Sequence, residues 1–96
     1  MARYLLKLYI AGHNTRSERA IVNLKQICEA HLHNDYQLII VDVRERAQLA
    51  ADEGIVATPT LVRELPKPVK RVVGDLSDTE RVLTGLELRI SGKGAS

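Results

Sequence analysis

The sequence lacks most of the residue types on which redox, metal and nucleic-acid chemistry depend. Its 96 residues include one cysteine, three tyrosines, no phenylalanine and no tryptophan. A single cysteine excludes an internal disulfide or dithiol pair and favours a reducing compartment, so we predict a cytoplasmic protein. Few aromatic rings and a net charge of only +2 argue against nucleic-acid binding, which favours stacking platforms and a more basic surface.

Membrane segments and catalytic motifs are also missing from the sequence. The opening apolar run, residues 4–11, is interrupted by Lys7 and is too short to span a bilayer. It carries no signal-peptide cleavage pattern. The chain has no glycine-rich phosphate loop, no nucleophile elbow and no carboxylate pair with assignable roles. We therefore expect a protein that is not an enzyme, needs no cofactor and does not associate with membranes.

The composition that remains is that of one globular domain with an aliphatic core. Hydrophobic residues make up 45% of the chain and charged residues 27%, which is ordinary for a folded protein. We predict a single domain over residues 1–96. Its last six residues, 91–96, contain nothing that would form a core and are predicted to be a disordered tail.

Hydrophobic periodicity predicts the element order β-α-β-α-β-β-α. The predicted elements are strands at residues 4–11, 36–43, 60–65 and 69–73, with helices from residue 15 to about 33–35, at 46–53, and from 77 onward. A helical crossover between the first two strands makes them a parallel pair. This is the order of a thioredoxin-like α/β fold, in which a β-α-β half precedes a β-β-α half, and Thr58-Pro59 lies just before the third strand.

Local motifs mark the ends of the predicted helices. The spacings Thr15-x-x-Glu18 and Ser77-x-x-Glu80 are those of a capping box and predict the starts of the first and last helices. Gly54 suits the position that follows the second helix.

The segment Gly85-Leu-Glu-Leu-Arg-Ile90 fits two structures. Its apolar residues alternate with charged ones, as in a strand, yet two of them share a helical face with Leu83. Gly85 weakens the helical alternative by about 1 kcal/mol relative to alanine. From the residues alone, a helix that ends early is favoured.

Two groups of side chains have the residue types of a binding site. Metal ligands could come from Cys28, His31, His33 and Asp35. Because no second ligand pair with zinc spacing exists, we interpret them as a solvated helix end and expect no metal site. Basic residues cluster near the predicted hairpin: Arg63, Lys67, Lys70 and Arg71. They suit either a charged sheet edge or an acidic protein partner.

Five segments together resemble the KaiB family of circadian clock proteins. They are Leu6-Lys-Leu-Tyr-Ile-Ala-Gly12, Ala57-Thr-Pro-Thr-Leu61, Leu65-Pro-Lys-Pro-Val69, Val73-Gly-Asp-Leu-Ser-Asp78 and Val82-Leu-x-Gly-Leu86. Each motif is weak alone, but five in order at the family's spacing are specific. The resemblance covers residues 4–90.

The resemblance implies a non-enzymatic regulator that binds a KaiC-type ATPase and modulates its phosphorylation cycle. KaiA and clock output kinases are further implied partners where they are present. It also implies fold switching: a β-β-α C-terminal half in the active form, and a resting homotetramer whose C-terminal half ends in a strand. The alternative is a KaiB paralogue that acts in stress adaptation or signalling through another protein partner.

The resemblance also assigns roles by position. Residues at basic family positions implicated in partner binding are Arg19, Arg63 and Arg71. Residues implied in the balance between the two folds are Thr58, Pro59, Gly85 and Glu87. Because alanine removes the helix penalty of glycine, Gly85→Ala is predicted to favour the thioredoxin-like form.

Overall fold

The computed structural model describes residues 3–88, and the predicted element order is confirmed within them. The strands are β1 (Tyr4–Ile10), β2 (Tyr36–Asp42), β3 (Thr60–Leu65) and β4 (Lys70–Val73), and the helices are α1 (Thr15–His31), α2 (Ala47–Asp52) and α3 (Thr79–Gly85). The predicted tail, residues 91–96, lies outside the described residues. Within residues 3–88, no helix is both long and apolar enough to cross a membrane.

The four strands form one mixed sheet in the order β2-β1-β3-β4. Strands β1 and β2 are parallel, as the helical crossover predicts, and their register sets Leu6 beside Leu38. Strand β3 runs antiparallel to β1, with Leu61 beside Leu8, and β4 returns antiparallel to β3. The sheet is therefore the mixed, thioredoxin-like one predicted, with β2 and β4 at its edges.

Both faces of the sheet are covered, because side chains of β1 alternate between them. Leu6 and Leu8 point to the face on which α1 and α3 pack, where the larger core cluster lies. Tyr9 points to the opposite face and packs in a smaller cluster with Leu49 of α2. Helix α2 has only six residues, so it covers one end of that face.

The first capping-box prediction is wrong by one residue. Thr15 is the first residue of α1, and Asn14 is the N-cap, whose side-chain oxygen accepts a 2.9 Å hydrogen bond from the Ser17 amide. Glu18 does not reach back to the cap but contacts His13, with 2.8 Å between Oε2 and Nδ1. Asparagine is at least as good an N-cap as threonine, so the helix begins at the residue after it.

The second capping box is wrong in the same way. Asp78 caps α3 and accepts a hydrogen bond of 3.1 Å from the Arg81 amide. Ser77 lies outside the helix, and its amide donates to the carboxylate of Asp75 at 3.1 Å. A carboxylate accepts more strongly than a hydroxyl and suits the positive end of the helix dipole.

Candidate functional site

The loop between β1 and α1, the place of the thiols in a thioredoxin-like enzyme, is hydrogen-bonded through Gly12 to an ion pair at the end of β2, between Asp42 and Arg44. Asp42 accepts hydrogen bonds from the Gly12 amide at 3.3 Å and the Arg44 amide at 2.9 Å, and its carboxylate pairs with the Arg44 guanidinium at 3.1 Å. The side-chain and backbone hydrogen bonds from Arg44 lower the pKa of Asp42 to about 2. Gly12 has a φ of 74°, and a Cβ there would lie 2.6 Å from the guanidinium carbon.

The Thr58-Pro59 segment lies beside this loop, because β3 begins next to the end of β1. The peptide bond is cis and Pro59 is fully buried. Thr60 donates a 2.6 Å hydrogen bond from its hydroxyl to the Ala57 carbonyl, and the Pro59 carbonyl accepts one of 2.9 Å from Gly74. The proline thus lies just before β3, as predicted from the sequence, and the chain's single cysteine, Cys28, lies elsewhere, in α1.

Cys28 is not placed for thiol chemistry. It lies in α1, is 0% exposed and packs in the larger core cluster. Burial, followed by the charge of Glu29, raises the pKa of its thiol to about 12, so the reactive thiolate is scarce at neutral pH. Within residues 3–88, no group of three or more histidine, cysteine or acidic side chains is arranged to hold a metal ion.

Arg63 is buried rather than presented on the surface. It is 3% exposed, and its guanidinium donates hydrogen bonds to backbone carbonyls at the end of α3 and in the β3–β4 loop. Nη1 donates to Leu86 at 2.8 Å and to Glu87 at 3.4 Å, and Nη2 donates to Pro68 at 2.7 Å. In this conformation the guanidinium lies in the interior and not on the surface that a partner would contact.

Arg71 is exposed but engaged with the opposite face of the sheet. It lies on β4 and donates to carbonyls at the end of α2, to Glu53 at 2.9 Å and to Gly54 at 3.2 Å. A cation suits the negative end of a helix. The contact fixes α2 against the sheet while the side chain stays at the surface.

Arg19 lies on the solvent side of α1. It borders a shallow depression of about 470 Å³, which the 52%-exposed side chain of Val22 also lines. The charge of Arg19, after the hydrogen bonds from Ser77, contributes to lowering the pKa of Asp75. Of the basic residues assigned to partner binding, Arg19 is the one whose side chain is exposed without a hydrogen bond to the backbone in residues 3–88.

The three arginines do not form one patch. Arg19 belongs to the face covered by α1 and α3, Arg71 to the face covered by α2, and Arg63 to the interior. Any partner surface built from Arg19 and Arg71 together must therefore extend around the edge of the sheet.

Gly85 is the last residue of α3 and sits directly over the sheet. A Cβ at this position would lie 2.8 Å from Cγ2 of Val72, and within residues 3–88 no other atom outside its own helix and its chain neighbours comes within 4 Å of it. Val72 is on β4 and buried. The glycine therefore permits close packing of α3 on β4, a constraint that opposes the helix preference for alanine.

The end of α3 is a Schellman motif with glutamate in the position that usually holds glycine. Glu87 has a φ of 52°. Its amide donates to Thr84 at 3.2 Å, and the Leu88 amide donates to Leu83 at 2.9 Å; these are the two bonds that define the motif. In this structure residues 86–88 are neither helix nor strand, so the helix ends early, as favoured from the residues. Ile90 lies outside the described residues.

Several exposed apolar side chains were not identified from the sequence as surface features. Val56, just before Thr58-Pro59, is 95% exposed. Ile39 and Ile40 are exposed on β2, because that strand is at an edge of the sheet. A continuous apolar run does not distinguish an edge strand from a central one, so only the strand order could reveal them.

Known proteins resemble this chain in both sequence and structure. The KaiB domain matches residues 7–88. Circadian clock protein KaiB3 from Synechocystis sp. is 47% identical over 88 residues, covering 92% of this chain and 86% of the relative. Circadian clock oscillator protein KaiB from Synechococcus elongatus is 51% identical over 85 residues, covering 88% and 83%.

Solved structures similar to this one have the thioredoxin-like fold. Mitochondrial thioredoxin 3 from Saccharomyces cerevisiae superposes with a TM-score of 0.72 at 17% identity, covering 91% of this chain and 79% of the other. The N-terminal domain of Synechococcus elongatus SasA superposes with a TM-score of 0.74 at 24% identity, covering 91% and 86%. At such identities the likeness establishes the fold.

Proposed function

The chain belongs to the KaiB family of circadian clock proteins, and on that premise we propose that it regulates a KaiC-type ATPase by binding to it. The observation that carries the proposal is 51% identity to circadian clock oscillator protein KaiB over 88% of this chain. Binding modulates the ATPase's phosphorylation cycle, and the protein itself catalyses no reaction. Where KaiA and output kinases are present, they are further partners.

The absence of sulfur beside Thr58-Pro59 supports a binding role. The chain has a single cysteine, whose thiol is buried and has a raised pKa, so the fold has no dithiol pair. What remains is a scaffold with an exposed Val56 beside Thr58-Pro59 and Arg19 on the neighbouring helix. We assign Arg19 and Arg71 to the partner surface, with Arg63 supporting it from within.

The proposal includes two conformations of the C-terminal half. The β-β-α arrangement described above is the form that binds, and a homotetramer whose C-terminal half ends in a strand is the resting form. Support comes from the alternation of apolar and charged residues after Gly85 and from the non-glycine residue Glu87 in a left-handed conformation. Thr58 and Pro59, at the start of the same half, belong to the set that tunes the balance.

The test is to mix the protein with the KaiC-type ATPase of its own organism and follow the complex by size exclusion over a day. A complex that forms over hours supports a rare binding form, whereas immediate binding means that this form already dominates. Absence of a complex, with folded protein and a phosphorylatable ATPase, would refute the proposal and favour the paralogue with another partner.

Matched arginine variants make the binding test specific. Arg19→Ala is expected to weaken the complex, and Arg46→Ala, which changes an exposed arginine at the start of α2, is expected to leave it unchanged. Equal weakening by both would indicate a general effect of charge rather than a contact made by Arg19.

A further inference from the structure

Arg63 connects a central strand of the sheet to the segment that follows α3. The side chain extends from β3, which is paired on both sides, and is almost completely buried. Its donors reach the carbonyls of Leu86 and Glu87 on one side and of Pro68 on the other. A buried cation is thus used to hold two backbone segments that are far apart in sequence.

The carbonyls at the end of α3 need such a donor. The last turn of a helix leaves its carbonyl groups without partners inside the helix. Within this segment Glu87 is held in a backbone conformation that disfavours side chains, since it has a φ of 52° and is not glycine. Without Arg63, these carbonyls would regain partners most readily by opening to water.

We propose that Arg63 is an internal clamp that keeps residues 86–88 closed against the β3–β4 loop, and that losing it lets this segment open while the sheet and α1 stay folded. The clamp belongs to the conformation with a β-β-α C-terminal half and does not depend on a KaiC-type partner. It differs from a contact role for Arg63, because the effect is expected in the free chain.

Hydrogen exchange on the free protein tests the clamp. In Arg63→Met, which keeps the length of the side chain without its donors, we expect the amides of Glu87 and Leu88 to exchange at least about tenfold faster, because charge-assisted hydrogen bonds have been lost. Amides in the paired part of the sheet, such as Leu8 and Leu61, should change much less. Wild-type protein with no protection at Glu87 and Leu88 would overturn the proposal at once.

Two further variants distinguish the clamp from a general contribution to the core. Lys70→Met removes an exposed ion pair to the same residue, with 3.5 Å between Nζ and the Glu87 carboxylate, and should change local exchange little. Glu87→Gly in the Arg63→Met background relieves the left-handed strain and should recover part of the lost protection. Arg63→Lys, with fewer donors, should give a smaller increase at the same two amides.

Two results of hydrogen exchange in Arg63→Met would contradict the clamp. If Arg63→Met speeds exchange by the same factor at Leu8 and Leu61 as at Glu87 and Leu88, the residue stabilises the whole fold and is not a local clamp. If it changes none of them, the three hydrogen bonds are incidental. Either outcome would refute the proposal.

Discussion

Replacing Gly85 with alanine sets two effects of known sign against each other. Glycine in a helix costs about 1 kcal/mol relative to alanine, which favours the substitution. The structure adds the opposing effect, because the new Cβ would lie 2.8 Å from Cγ2 of Val72. Ordinary contacts of this kind are 3.4–4 Å, so the helix or the valine must move by several tenths of an ångström.

We expect the contact with Val72 to decide whether Gly85→Ala stabilises or destabilises the fold. Val72 is branched at Cβ and its χ1 is therefore stiff, and it is buried on a strand hydrogen-bonded to β3. Forcing an extra methyl group into packed surroundings costs about 1–3 kcal/mol. We therefore expect Gly85→Ala to destabilise this fold by about 1 kcal/mol net, which reverses the direction predicted from helix preference alone.

A double-mutant cycle with Val72→Ala isolates the contact. Val72→Ala alone should cost about 2 kcal/mol through lost burial of two methyl groups. It also removes Cγ2, the atom of Val72 that would lie 2.8 Å from the new Cβ. In that background Gly85→Ala should therefore stabilise by up to about 1 kcal/mol, giving a coupling energy of about 2 kcal/mol.

The free energy of unfolding should be measured by urea titration at one fixed protein concentration. Far-UV circular dichroism is the suitable signal because the chain has no tryptophan. If Gly85→Ala stabilises the parent chain and the two substitutions are additive within about 0.5 kcal/mol, the clash with Val72 does not determine the change in the free energy of unfolding. The reasoning from close packing would then be refuted in favour of helix preference.

Two further predictions concern the ion pair between Asp42 and Arg44. The pKa of Asp42 is lowered to about 2 in the folded chain, whereas an ordinary aspartate titrates near pH 4. The ion pair therefore stabilises the protein above about pH 4, and this contribution is lost as the pH falls toward 2. Asp42→Asn should remove that part of the acid sensitivity, measured as the difference between the stability-versus-pH curves of the parent chain and the variant. Gly12→Ala should displace the Arg44 guanidinium and raise the pKa of Asp42, which NMR titration would show. Gly54→Ala is the control: its φ is similar, at 70°, but among the described residues other than its chain neighbours the nearest atom to the added Cβ is Nη1 of Arg71 at 3.9 Å, so the pKa of Asp42 should stay unchanged.

The element order could be predicted from the sequence because strong periodicity and short connections fix it. Strand β1 is apolar at nearly every position, since both of its faces are covered, and this feature was readable without a structure. The N-caps of α1 and α3 were each misplaced by one residue. Asn14 and Asp78 stand next to equally plausible hydroxyl caps, and the choice between adjacent caps depends on backbone geometry rather than on residue type.

The surroundings of the candidate residues could not be predicted, because they depend on contacts between distant segments. Arg63 lies on a strand, where an arginine usually points to solvent. Its burial requires unpaired carbonyls at the end of α3, more than twenty residues later. The same is true of Gly85. Its cost to the helix can be predicted from the sequence, whereas its close approach to Val72 exists only in the folded structure.

The burial of Arg63 changes how binding experiments on this family member must be interpreted. A substitution there that weakens a complex does not identify a contact, because it also frees residues 86–88, which lie beside the β3–β4 loop and its basic side chains. Arg19 has no such second effect, since its side chain faces solvent beside Val22. If Arg63→Met weakens binding and Glu87→Gly partly restores it, the clamp acts through the shape of the C-terminal segment. A direct contact with the partner would not be restored, because glycine at 87 replaces none of the lost donors.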